Sequence, residues 1–247
     1  MTMSTTAVLR SEWIKIRSVR SAAGSLAAVF LVTMAITVLA FATVGQAEAD
    51  NADADLVFGA FYALNFGQIA AISFGATAIS SEYVTGALRM SLAAVPRRTL
   101  FYTVKMSLIG GVALAVGLVT SFSSFLVGQL FMGEYAIGLG EPGAWRAALG
   151  SGIYLALMTL FAAGLTVLLR SAAAVLSLLI PFILIVSFVV GDVAGGVAEY
   201  LPDRSGQLVL HQHPEGTMGP WTGMAVTAAW AGASLLAGWW ALRQRDA

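Results

Sequence analysis

The chain has 247 residues, and only 11% of them are charged while 58% are apolar; an ordinary soluble domain is about 25% charged. No core of this size can hide that much apolar surface, so the composition excludes a water-soluble globule and points to lipid as the solvent. Cysteine is absent, which removes disulfides and thiolate metal sites, and the 13 basic and 13 acidic residues cancel in number but not in position.

Stretches of more than twenty residues without Asp, Glu, Lys or Arg run over 21–47, 56–81, 106–133, 147–169, 171–191 and 216–242. About 20 apolar residues of helix cross the hydrocarbon core, and only helices or closed barrels satisfy their backbone there. The ten-residue alternation of barrel strands is missing. The sequence therefore predicts an all-α integral membrane protein, a single transmembrane domain over 1–247. Six transmembrane helices are expected near 21–45, 57–81, 101–131, 146–169, 172–191 and 219–242.

Basic residues favour cytoplasmic flanks. With both termini cytoplasmic, eleven of the thirteen fall inside and only Arg146 and Arg204 outside, while ten of the thirteen acids fall outside. The expected location is the cell's inner (plasma) membrane. The AEA triplet at 47–49 resembles a signal-peptide cleavage site, but the apolar stretch before it is about twice the usual 7–15 residues, so the first span is expected to be retained.

In chain order, residues 7–20 come first. Leu9, Trp13 and Ile16 recur at helical spacing among Arg10, Lys15, Arg17 and Arg20, which predicts an interfacial helix; a plain basic flank is the alternative. Next, residues 82–98 are too long for a simple hairpin, which needs 2–8 residues. Leu88, Leu92 and Val95 share a face, and Arg89 points elsewhere. Gly86 loosens the end of the second span, and Pro96 disfavours helix at Val95. A short amphipathic helix over roughly 84–94 follows, then a turn at Pro96-Arg97-Arg98, with Thr99 as N-cap of the third span. Residues 192–218 form an outer loop too apolar for a solvated linker, which predicts re-entrant or surface-lying short helices broken at Pro202. Pro181 should kink the fifth span.

Chemistry is mostly excluded. The two lysines, Lys15 and Lys105, do not follow glycines, so there is no phosphate loop for ATP, and HExxH is absent. The spans hold no carboxylate pair and no ionisable relay of the kind ion-driven carriers use. No catalytic residue, metal site or cofactor is expected in this chain. His211 and His213 with Glu215 make a weak metal motif, against the simpler reading of a polar loop. Asn65, Gln68 and Gln129 are either interhelical hydrogen-bonding groups or a weakly polar pathway lining. The GxxxG pairs Gly191/Gly195 and Gly219/Gly223 suggest close helix packing.

In order along the chain, SEWIKIRSVRS before the first span, SSEYVTGALRMSLAAVPRR after the second and EYLPDRSG before the sixth resemble the membrane (permease) subunit of a type-2 ATP-binding-cassette exporter. The pattern Glu82-Tyr83, Gly86, Leu92-Ala93, Pro96-Arg97-Arg98 is its most specific part; Asp203-Arg204 stand where that family more often has small residues. The resemblance implies ATP-driven export through a dimer of permease subunits, the second subunit being an identical chain or a different one, paired across the first and fifth spans. ATP and Mg²⁺ would sit on two copies of a separate cytoplasmic ATPase, with membrane lipid and no nucleic acid as further partner. Coupling to that ATPase would fall on Trp13, Lys15, Arg17, Glu82, Gly86, Arg89, Leu92, Pro96, Arg97 and Arg98. Glu82 pairs either with Arg89 or the surface helix, or with the ATPase itself. An apolar lining suits an amphiphilic drug, peptide or lipid-like cargo. A channel or secondary carrier working without an ATPase is the alternative, and a membrane-bound enzyme or scaffold a third.

Overall fold

The computed structural model describes residues 5–51, 53–95, 97–186, 195–214 and 217–244. It is built from helices, with no strand among the described residues. Five of them are long and apolar enough to cross a membrane: α2 (Arg20–Ala49), α3 (Leu56–Val84), α5 (Arg98–Gln129), α6 (Ala144–Leu169) and α9 (Pro220–Gln244). The protein is therefore membrane-embedded. Between them lie α1 (Thr5–Ser18), α4 (Ala87–Ala94) and α8 (Pro202–Gln207).

The expected fifth span is a shorter apolar helix, α7 (Ala172–Ile185). At 1.5 Å per residue it covers only about 21 Å of a roughly 30 Å core. Its expected continuation toward 191 lies outside the described residues, as does Gly191 of the first GxxxG pair. The disruption expected at Pro181 takes the form of a π-helical turn over Phe182–Val186: a ring that cannot donate to the previous turn leaves a carbonyl to be accommodated by widening the helix.

The central helix is α6, which packs against α9, α5 and α3 in turn. Each crossing is made at small residues. A Cβ on Gly75 of α3 would run into the Thr159 carbonyl of α6, and one on Gly164 of α6 would meet the Ser234 backbone of α9 at 2.6 Å. Gly117 of α5 faces Gly152 of α6 in the same way. In lipid, where apolar burial drives little, such backbone approach is the main source of packing energy.

Contacts place both chain ends at one end of the bundle. The Arg98 guanidinium donates to the Leu242 carbonyl (2.9 Å), and the Trp239 indole donates to Thr99 Oγ1 (3.3 Å). Thr99 is thus not the N-cap: α5 already begins at Arg98, and Arg97 in the N-cap position gives no side-chain cap. This end carries α1 and α4 and is termed the basic end.

At the opposite, acidic end, residues 195–210 fold as short helical turns, Gly195–Tyr200, α8 and Leu208–Leu210. Pro202 opens α8, where its missing N–H costs nothing. These turns are inserted into the bundle: Gly206 packs on the Tyr154 ring and Thr227, Thr227 Oγ1 donates to the Pro202 carbonyl (2.8 Å), and Gly223 abuts the Ser205 carbonyl. Tyr154 is about 15 Å along α6 from its start, so the segment dips inward, as the re-entrant alternative expected.

Gly75→Ala should lower the thermal stability of the purified protein by about 1–3 kcal/mol, the usual cost of overpacking. Gly111→Ala, whose added methyl meets nothing within 4 Å, should be neutral or slightly stabilising. Equal effects would mean that the α3–α6 approach is not a tight one.

Candidate functional site

The basic end is organised by a ring of four charges. On α1, Glu12 and Lys15 are one turn apart; Glu82 sits in the last turn of α3, and Lys105 lies about 10 Å along α5. Lys15 Nζ contacts Glu12 Oε1 at 2.5 Å and Glu82 Oε1 at 2.9 Å. Lys105 Nζ contacts Glu12 Oε2 at 2.9 Å and Glu82 Oε1 at 2.8 Å. Each ammonium therefore meets both carboxylates, and the ring is neutral. Glu12, Glu82 and Lys105 are buried, at 1%, 5% and 6% exposure. Phe101, one turn before Lys105, places its ring 5.6 Å and 5.9 Å from the two ammoniums, a favourable position for a cation over a π face.

Ser91 of α4 joins the ring by accepting a hydrogen bond from Lys15 Nζ (2.8 Å). Four elements, α1, α3, α4 and α5, are thus fastened through one polar knot. Around it, Val8, Ile16, Leu88, Val95, Ile79 and Phe101 make a separate apolar cluster. Removing charges from water costs several kcal/mol each unless they are closely paired, and the closed ring provides that pairing. Burial by itself would push the Glu12 carboxyl up, yet the Lys105 charge and the hydrogen bonds from Lys15 and Lys105 hold it below the ordinary carboxylate range. For Lys15, burial pulls the ammonium down; the hydrogen bond to Glu12 and the Glu82 charge more than reverse this and raise it.

The sequence-predicted residues divide into three groups. Lys15 and Glu82 enter the ring, so Glu82 pairs with the surface helix; Arg89 is exposed and makes no ion pair with it. Gly86 has φ +68°, a left-handed backbone that lets the chain turn from α3 into α4 and that other residues adopt only with strain. Leu92 packs half-buried beside Leu88 and Val95 as expected. Trp13, Arg17 and Arg97 are exposed, and Arg98 points to the last carbonyls of α9. Pro96 lies outside the described residues.

The face that α1 turns to the bundle is not the one that carries Leu9 and Trp13. Val8, Glu12 and Ile16 form its buried stripe, while Leu9 and Trp13 are exposed at 38% and 42%. A glutamate takes the central core position because two lysines meet it there. Glu12, Lys105 and Ser91 were not singled out from sequence. The available signal was that this chain has only two lysines, and that Glu12 and Glu82 stand within otherwise basic stretches.

The polar residues nearer the acidic end are tied into the fold. Gln68 is buried and accepts from the Tyr154 hydroxyl, while its amide donates to the Asn65 carbonyl (3.0 Å). Asn65 donates to the Tyr62 carbonyl, and Gln129 Oε1 accepts from the Ile137 N–H (2.7 Å), fixing the turn after α5. His211 stacks on Phe58 with centroids 4.2 Å apart and lies 3.2 Å from Asp55. Asp55 also accepts from the Phe58 and Gln212 N–H groups, and Arg146 donates to the His211 and Gln212 carbonyls. Glu215 lies outside the described residues, and no group of three metal-ligating side chains occurs among the described ones.

Removing either Glu12 or Glu82 by alanine strands buried ammonium charge and should cost about 3–5 kcal/mol, read by thermal or denaturant unfolding in detergent; Arg89→Ala and Arg97→Ala should change stability by less than about 0.5 kcal/mol. The ring also sets a pH window. A carboxyl lowered from 4.5 contributes stability above that value and loses it as pH falls through the folded pKa, whereas a lysine raised from 10.5 contributes below that value and loses it as pH rises past its folded pKa. The protection of α1 amides, their exchange rate relative to the intrinsic rate at the same pH, should therefore hold between pH 5 and 10 and fall only below pH 4.5 or above pH 10.5; a loss of protection near neutrality would contradict the pairing of Glu12 and Lys15.

No family model and no curated protein matches the sequence.

Proposed function

We propose that the chain is the permease subunit of an ATP-driven exporter, taking mechanical work from a separate ATPase docked on its basic end. The observation that carries this reading is the buried ring, which fastens α1 and α4 to the ends of α3 and α5. A short amphipathic helix hung between two spans is not by itself a lever. One that is ion-paired through Lys15 to α3 and α5 can pass a displacement to both. On its free side α4 presents Arg89 and Met90, a face available for a partner. The chain has no phosphate-binding loop of its own and no charged relay among its spans other than this ring, so the energy source has to be external.

Orientation follows from charge: the basic end faces the cytoplasm by the positive-inside rule, with both termini there and six spans in all. The sixth is the 172–191 segment, of which α7 (Ala172–Ile185) is the described part. Two such subunits would enclose the pathway, meeting across α2 and α7, both of which pack on α3; α2 is the least buried of the five long helices. The cargo class in keeping with the apolar helices is an amphiphilic drug, peptide or lipid-like molecule, exported across the plasma membrane.

Because the natural chain has no cysteine, single cysteines report without background. Arg89→Cys should resist a membrane-impermeant maleimide in intact cells, react in inside-out vesicles, and be protected when the ATPase that pairs with this chain is added. Labelling of Arg89→Cys from outside intact cells would overturn the orientation. Vesicles that export equally well without nucleotide would overturn the energy source.

A further inference from the structure

One cavity among the described residues is remote from the charge ring. It lies at the acidic end, between the last turns of α2 and the first turns of α3, and holds about 620 Å³. Ligand pockets are typically 300–1,000 Å³, so the volume suits a drug-sized molecule. Its walls have two characters. Phe41, Phe58 and Tyr62 offer rings, and Glu48, Asp53 and Asp55 supply three carboxylates, while no lysine or arginine lines it.

Backbone features hold this space open. The last turns of α2 widen into a π-helical turn over Phe41–Gly45, and Gly59, on the facing wall, has nothing within 4 Å of the position a Cβ would take. Asp55 is already occupied by the α3 N-terminus and His211. Glu48 and Asp53 are exposed, and the nearest donor to Glu48, the Asn51 amide, stands 3.5 Å away. Two carboxylates are therefore left at the mouth of an aromatic cavity. The length of α2, about 45 Å against a core of roughly 30 Å, puts its final turns at headgroup depth, where amphiphiles collect.

From this geometry we infer that the cavity binds an amphiphilic organic cation, its apolar body against Phe41, Phe58 and Tyr62 and its positive centre between Glu48 and Asp53. Rings attract a desolvated cation through their faces, the carboxylates add charge attraction, and the same carboxylates repel an anion of equal shape. The ammonium can come from a lipid headgroup or from a diffusing cation. The site is independent of any docked ATPase, so its failure would leave the basic-end reading untouched, and the reverse.

The full chain in dodecyl maltoside, which carries no amine, is titrated with ethidium as the cationic aromatic probe and with 1-anilinonaphthalene-8-sulfonate as the anionic one, both followed by fluorescence. Ethidium should bind saturably and the sulfonate much more weakly. Gly59→Leu, whose Cβ meets nothing within 4 Å on a wall of the cavity, should abolish ethidium binding while leaving the thermal transition in place. Glu48→Gln with Asp53→Asn should weaken ethidium at least tenfold and narrow the gap between the two probes. Displacement of ethidium by added phosphatidylethanolamine, but not phosphatidylglycerol, would support the site with a lipid headgroup as its source; no displacement by either would support it with a diffusing cation. Equal ethidium binding by the natural chain and Gly59→Leu would overturn the proposal, as would sulfonate binding as tight as that of ethidium.

Discussion

Everything at the basic end depends on four charges remaining paired. Glu12, Lys15, Glu82 and Lys105 come from three different helices, and three of the four are withdrawn from solvent. An apolar contact tolerates a slide of an ångström or two, because any neighbouring methyl group will do. A ring in which both ammoniums must reach both carboxylates allows far less slippage, and its failure leaves an uncompensated buried charge. The ring therefore fixes where α1 lies against α3 and α5, and Ser91 extends the same constraint to α4. Stability alone would be served as well by leucines; what the charges add is a single register.

The rest of the bundle solves a different problem, that of holding long apolar helices together in an apolar solvent. Glycine contacts along α6 bring α3, α5 and α9 within backbone reach, which maximises dispersion contacts where the hydrophobic effect is weak. Toward the acidic end, the inserted turns of residues 195–210 would leave polar groups inside the bundle without partners. Thr227, Ser205, Tyr154 and Gln68 supply them. Asp55 and Arg146 then tie the end of that insertion to α3 and α6. Both ends of the bundle are thus pinned by polar knots, and its middle by small residues along α6.

The long spans were legible because their signal is compositional: absence of charge over twenty residues is hard to reproduce by chance, and α3, α5, α6 and α9 fall where that absence predicts. Residues 87–94 were legible through Leu88, Leu92 and Val95, which all pack inward. The inward dip of residues 195–210 was foreshadowed by its apolar residues and by Pro202. What periodicity could not provide was the ring. On α1 the pattern Leu9, Trp13, Ile16 predicted a helix lying along the membrane surface; it did not reveal that Val8, Glu12 and Ile16 turn toward the bundle. A helix-periodicity count treats glutamate as polar and places it outward; only the long-range meeting with Lys105, 93 positions away, reverses that. Thr99 failed as a cap for a related reason, since its hydroxyl is engaged by Trp239 of a helix distant in sequence. Lipid-facing apolar residues blur the helical faces further, because inside and outside of such a bundle have similar composition.

Internal pairing also changes what a net charge of zero means. Both glutamates at the basic end are consumed by the ring, together with both lysines. The exposed remainder there is arginine alone among the described charged residues: Arg10, Arg17, Arg20, Arg89, Arg97, Arg170 and Arg243. At the other end, Arg146 is spent on backbone carbonyls, while Glu48, Asp50 and Asp53 stay exposed. Among its described residues, a chain with equal numbers of both signs thus turns an arginine surface one way and a mainly acidic one the other. That separation exceeds what the sequence alone suggests, because pairing removes the minority sign at the basic end and withdraws it at the acidic one. A guanidinium face without competing carboxylates is what an acidic protein surface or an anionic leaflet would select, and a carboxylate face without exposed lysine would gather organic cations. The polarity of the molecule is therefore set by which charges are buried as much as by which are present.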